Sequence, residues 1–319
     1  MNKSLLWVEK NRPQKISEIC HQEEVCNGLQ NLKNNANIPH LLFYGPSGCG
    51  KTSAIYALAR ELFGDYYKER IYELNASDER GINVVREKIK TYAAKSINRH
   101  LNLPPWKIII LDEADNMTIE SQYTLRTIME EHSKVTRFCI ICNYYYKIIN
   151  PIVSRCSIFR FKPIPEKIIA TKLQEISILE NMNLNKTALK KISNYSRGDL
   201  RKAINFLQRC KNSFDDKIND ELIDEMSGFI NKNYLTQFIN TCLEKNEILV
   251  LEMINYIYTN SFSFINQLVI INDIINEIDI DDDKKCKIFM ELVNIDQNLL
   301  KSSNELIQLY HFSYFLMTL

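Results

Sequence analysis

The chain has 319 residues, enough for about two or three domains, and its 45% apolar and 25% charged residues match an ordinary soluble globular protein. Its net charge is +1, so nucleic-acid binding cannot be read from overall charge and any basic surface has to be local. The apolar runs Ile108–Leu111 and Leu268–Ile271 fall far short of the ~20 residues of a membrane span. Met1–Lys10 lacks an apolar stretch of signal-peptide length, so neither membrane insertion nor secretion is expected.

Taken in chain order, Leu41–Tyr44 reads as a buried strand. Thr52–Phe63 then reads as a helix, with Ile55, Leu58, Ala59 and Leu62 at helical spacing and Gly64 at its C-cap. Ile71–Leu74, Ile108–Leu111, Phe138–Cys142 and Ile158–Phe161 read as further buried strands, with a helix from about Ile82 to Lys95. Strands alternating with helices predict a parallel α/β sheet. Pro163 and Pro165 form a stiff joint, beyond which the patterns are helical. Asp199 starts a helix with Leu200, Ala203, Ile204 and Leu207 on one side. The remainder is all-helical, with breaks near Asn260-Ser261, Asp279–Asp283 and Ser302-Ser303. The expected division is 1–163 as an α/β core, 164–230 as a helical lid and 231–319 as a helical collar.

Nine cysteines in a chain of this length do not form a disulfide framework and fit a reduced, intracellular protein. Cys139 and Cys142 have C-x-x-C spacing, but on a strand residues three apart face opposite sides, so both read as core residues.

Gly45-Pro46-Ser47-Gly48-Cys49-Gly50-Lys51-Thr52 matches G-x-x-x-x-G-K-[ST], with a strand before it and a helix after it. Its glycines let backbone N–H groups wrap phosphates at a helix N-terminus. Lys51 would reach the β- and γ-phosphates of ATP and Thr52 the Mg²⁺. Ile108–Leu111 runs into Asp112-Glu113-Ala114-Asp115, a strand that ends in acids at the ligand crevice. Asp112 would hold Mg²⁺ through water, and Glu113 would orient the attacking water as its base. Asn143 follows the strand Arg137–Cys142; by position alone it is either a γ-phosphate and water contact or a turn residue.

These motifs occur in a longer series: Trp7-Val8-Glu9-Lys10-Asn11-Arg12-Pro13, the P-loop, Glu73-Leu74-Asn75-Ala76-Ser77-Asp78-Glu79-Arg80-Gly81, D-E-A-D, Ser154-Arg155-Cys156 and Gly198-Asp199-Leu200-Arg201. Over residues 5–211 the series resembles the small subunits of replication factor C, the AAA+ sliding-clamp loader. Glu73–Lys90 and Pro104-Pro105-Trp106-Lys107 look most like the subunit 4 type. The resemblance implies a AAA+ core with helical lid and collar, in a heteropentamer with other replication factor C subunits. That complex would be nuclear and would place a PCNA-type sliding clamp on primer–template DNA without sequence preference. It implies adenine-side contacts from Val8, Arg12 and Pro13, and a P-loop contact extending to Ser53. Asn143 would be sensor 1, Arg201 sensor 2, and Arg155 an arginine finger completing a neighbour's site in trans. Arg80, Arg86 and Lys90 would touch template phosphates, although a solvated basic face is the plain alternative for the last two.

Two positions depart from the family pattern. Thr127 stands where the family commonly has a second arginine, and Cys49 where many members have threonine. A thiol at a helix N-terminus is expected to have a lowered pKa and to be reactive unless nucleotide shields it. Gln122, Leu125, Ile128 and Met129 are spaced either as a clamp-interacting motif or as one buried helix face. Competing functions are a AAA+ remodeller or helicase-type motor and a structural subunit with an inactive ATPase.

Overall fold

The computed structural model describes residues 6–34, 38–76, 82–95, 103–182, 184–214 and 220–319. The chain forms two compact units, Met1–Asp216 and Lys217–Leu319.

In the first unit α1 (Trp7–Lys10) and α2 (Glu23–Asn34) precede β1 (His40–Tyr44), α3 (Lys51–Phe63), α4 (Tyr67–Arg70) and β2 (Ile71–Asn75). The chain continues through α5 (Ile82–Ala94), β3 (Lys107–Asp112), α6 (Ile119–Glu131), β4 (Thr136–Cys142), α7 (Asn150–Val153) and β5 (Cys156–Arg160). Three helices follow: α8 (Glu166–Leu179), α9 (Lys186–Ser196) and α10 (Leu200–Phe214). The five strands pair in parallel in the order β2-β3-β4-β1-β5. This is an α/β sheet of the AAA+ P-loop type.

Alternation along the strands divides the core. Leu41, Phe43, Ile108, Ile110, Cys139 and Ile141 pack on one face, and Leu42, Ile109, Leu111, Phe138, Ile140 and Cys142 on the other. The two thiols of the C-x-x-C therefore lie on opposite sides of the sheet. Phe43 is fully buried, and truncating such a side chain to alanine costs ~3–5 kcal/mol.

β5 occupies Cys156–Arg160, two residues earlier than Ile158–Phe161. Apolarity misled at this edge strand. Ile158 is exposed, and pairing with β1 from His40↔Cys156 to Tyr44↔Arg160 fixes the register instead. Ladder hydrogen bonding continues past the strand, where Phe161 N donates to Tyr44 O at 2.8 Å.

The second unit is helical: α11 (Asp220–Ser227), α12 (Lys232–Leu243), α13 (Glu247–Thr259), α14 (Phe264–Glu277), α15 (Asp282–Leu300) and α16 (Glu305–Thr318). Leu235, Phe238, Ile254, Ile271, Ile295 and Phe312 join one core that spans α12 to α16. Among the described residues no helix is long and apolar enough to cross a membrane.

Candidate active site

β1 delivers the chain to Gly45 and α3 carries it away from Lys51. Gly48 and Gly50 have φ of +64° and +96°, in the left-handed region. A Cβ on Gly48 would lie 1.8 Å from Oδ1 of Asp199, so both conformation and space demand glycine there. The loop ends at the N-terminus of α3, where N–H groups unpaired within the helix and the helix dipole favour an anion. Lys51 is buried, and its Nζ donates to the carbonyls of Gly45 (2.7 Å) and Pro46 (2.8 Å) and to Oδ1 of Asn143 (2.9 Å). Burial pushes its pKa down. A desolvated ammonium held by neutral oxygens is suited to receive a phosphate.

Thr52 Oγ1 donates to Asp112 Oδ2 at 2.9 Å, and Glu113 N donates to the other carboxylate oxygen at 2.9 Å. Glu113 has φ +55°, a strained conformation for a non-glycine residue, at the turn after β3. Asp115 is buried, and its Oδ1 has no hydrogen-bond partner in the structure. Among the described residues no cluster of three or more His, Cys, Asp or Glu could hold a metal. The oxygen pair of Thr52 and Asp112 beside a phosphate loop suits Mg²⁺ instead, since this ion keeps waters and takes phosphate oxygens as ligands.

A cavity of about 430 Å³ joins these groups. Val8, Arg12 and Pro13 line it, as do Ser47 through Ser53 of the loop. Asp112, Glu113 and Asn143 line it from the sheet, and Arg201 from α10. Gly45 and Pro46 are not among the lining residues but hold Lys51 through their carbonyls. Sequence reasoning missed the apolar wall formed by Ile19, Ile164, Leu200 and Ile204. Ile19 and Ile164 carry no motif, and Leu200 and Ile204 read only as part of one apolar helix face, so nothing in their spacing joins the three segments. Sequence reasoning read Asp199 as a helix start and as part of the Gly198–Arg201 motif, but gave its carboxylate no partner in the P-loop. The Asp199 carboxylate does cap α10, accepting from Lys202 N at 2.9 Å, but it also accepts from Ser47 Oγ at 2.9 Å. Leu200 N donates to Gly48 O at 3.2 Å, so the start of α10 is bonded to the P-loop.

Arg155 lies outside the cavity. Its Nη2 pairs with Glu130 at 2.6 Å, its Nη1 donates to Pro151 O at 2.6 Å, and Glu130 also takes Arg126 Nε at 2.9 Å. Thr127 is exposed on α6 and donates to Tyr123 O at 3.3 Å. Arg86 and Lys90 fall on α5, and Lys90 is exposed; Arg80 lies outside the described residues.

One expectation is corrected, and one open alternative is favoured over the other. Cys49 is 1% exposed and its Sγ donates to Pro46 O at 2.9 Å. Burial raises its pKa, outweighing the nearby Lys51, so it is not an activated thiol. Gln122, Leu125, Ile128 and Met129 are all buried. The Gln122 amide donates to Met117 O and Lys147 O and accepts from Ile149 N. That face of α6 packs against the chain's own core and is not offered to a clamp.

The sheet order, the glycine-built loop and the paired acids after β3 define a P-loop ATPase of the AAA+ class. Residues 41–164 match the ATPase family associated with various cellular activities, and 171–211 the RCF1/5-like AAA+ ATPase lid domain. Replication factor C subunit 2 of Oryza sativa subsp. japonica is 41% identical over 95% of this chain and 91% of its own. Replication factor C subunit 4 of Homo sapiens is 42% identical over 96% and 86% respectively. The chain belongs to the replication factor C small-subunit family. The Thermotoga maritima RuvB Holliday junction branch migration motor superposes with a TM-score of 0.54 at 18% identity, covering 74% of this chain and 80% of its own. That likeness is one of fold.

Proposed function

We propose that this chain is an ATP-hydrolysing subunit of a heteropentameric clamp loader. The complex opens a PCNA-type sliding clamp and places it on primer–template DNA in the nucleus, during replication and repair. The observation that carries this reading is the length of the likeness to replication factor C subunits, which spans 95–96% of the chain, including its helical C-terminal unit. The RuvB likeness is far weaker in sequence, at 18% identity, and gives no comparable support to a remodelling motor. Lys51, Thr52, Asp112 and Glu113 share one cavity, which speaks against an inactive structural subunit.

In this reading Lys51 binds the β- and γ-phosphates, and Thr52 and Asp112 hold Mg²⁺. When bound, Mg²⁺ offsets charge on the phosphate oxygens. Glu113 takes the proton of the attacking water, and Asn143 orients that water and the γ-phosphate. Arg201 reaches the γ-phosphate from the lid, while Val8, Arg12 and Pro13 face the adenine. Arg155 serves the neighbouring subunit's ATP. Arg80, Arg86 and Lys90 bind template phosphates, which would position DNA without reading its sequence. The lid falls within 164–230, and the collar, 231–319, joins the subunits.

The test is purification of the native complex from cells that express a tagged chain, followed by a loading assay. Recovery with other replication factor C subunits, and ATP-dependent retention of a clamp on primed circular DNA, is expected. Recovery as a self-assembled ring that separates or migrates DNA strands would overturn the reading.

A further inference from the structure

We infer that Tyr56, tethered by Glu73, is a positioning residue that holds Arg12 at the wall of the nucleotide cavity. The inference rests on the reading of Arg12 as an adenine-side contact.

Arg12 lines the cavity and Tyr56 does not. The Arg12 guanidinium carbon lies 5.3 Å from the centroid of the Tyr56 ring, within cation–π range. The Tyr56 hydroxyl donates to Glu73 Oε2 at 2.5 Å. Burial and this hydrogen bond raise the phenol's pKa well above its ordinary value, so it stays a donor throughout the physiological range. Tyr56 sits on α3, the helix that begins with Lys51, and Glu73 on β2. The ring therefore ties a residue from the N-terminal segment to the helix that carries the phosphate loop.

Among the described residues, the remaining hold on the Arg12 side chain is a 2.8 Å pair with Glu9, which is 45% exposed. An exposed pair three residues apart adds little fixation to a long side chain with many rotamers. The tethered ring is what narrows those rotamers to the one facing the cavity. A tyrosine that merely filled space between α3 and β2 would affect stability but not nucleotide affinity through Arg12.

ATP affinity of the full chain separates the two. Tyr56→Leu should weaken ATP binding by about three- to tenfold, the scale of a partly desolvated cation–π contact. Tyr56→Phe, which keeps the ring but loses the tether to Glu73, should lose affinity to a degree between the native chain and Tyr56→Leu. In an Arg12→Ala background, Tyr56→Leu should cost no further affinity. Tyr56→Met, which keeps bulk without a π-face, replaces Tyr56→Leu if the latter fails to fold. Arg12→Ala weakening binding while Tyr56→Leu does not, or equal losses from Tyr56→Leu with and without Arg12, overturns this inference alone. Native affinity in Arg12→Ala overturns the reading of Arg12 itself.

Discussion

Glu113 and Lys51 both line the cavity and have separable jobs in the proposed reaction. Lys51 already has its carbonyl and amide partners in place, so its contribution is to phosphate binding. Glu113 contributes to the proton transfer. Glu113→Gln keeps shape and removes the base, so ATP binding should persist. Turnover at this chain's own site should fall by about 10²-fold or more. Single-turnover hydrolysis checks this, and normal turnover would remove Glu113 from the mechanism. A second residue-scale prediction concerns His40, whose Nδ1 accepts from Phe138 N at 3.1 Å. Burial and then Arg137 lower its pKa from 6.5 to about 4. The neutral form is the folded one, so stability is complete above the unfolded pKa and is lost as pH falls from 6.5 towards 4. By pH 5 this site alone should account for about 2 kcal/mol, which His40→Gln should abolish. Denaturant melts at neutral and mildly acidic pH measure it, and an unchanged pH dependence in the variant would refute it. The P-loop and the D-E-A-D acids were legible because their spacing and flanking elements repeat a known chemistry, whereas Asn143, ambiguous by position, was singled out only through the family resemblance. The state of Cys49 was not legible, because a helix N-terminus lowers a thiol pKa while burial raises it, and burial depends on the whole fold.

At the scale of elements, Gln122 fastens the start of α6 to the loop that follows Asn143. Its three hydrogen bonds to Met117, Lys147 and Ile149 are all to backbone. Gln122→Ala should destabilise the chain by about 1–3 kcal/mol, because three part-buried backbone groups lose their partner. Clamp affinity per folded molecule should be unchanged. Reduced clamp binding at native stability would restore the clamp-contact alternative. Helix periodicity could not separate these options, since a buried face and a docking face share the spacing i, i+3, i+6, i+7. Most element positions were readable. Gly64 caps α3, and the chain turns at Ser261 and Ser302, each with positive φ. β5 slipped by two residues because an edge strand with an exposed isoleucine gives a weak apolar signal.

The whole molecule pairs an ATPase unit with a helical unit that carries no catalytic motif. This architecture matters only if sites are completed between chains, and Arg155 is where that claim can be tested. It is absent from the cavity and is held by Glu130 and Pro151 on the surface. A role for it at a neighbouring site is proposed only from the Ser154-Arg155-Cys156 motif, since an arginine at 36% exposure is otherwise an ordinary surface residue. The decisive measurement is ATP hydrolysis resolved site by site in a reconstituted complex carrying Arg155→Ala, with the other sites disabled in turn. The account predicts unchanged nucleotide binding by this chain and a loss of turnover at the adjacent subunit's site, up to roughly 10³–10⁵-fold. Slowing confined to this chain's own site, or no slowing at any site, would contradict it.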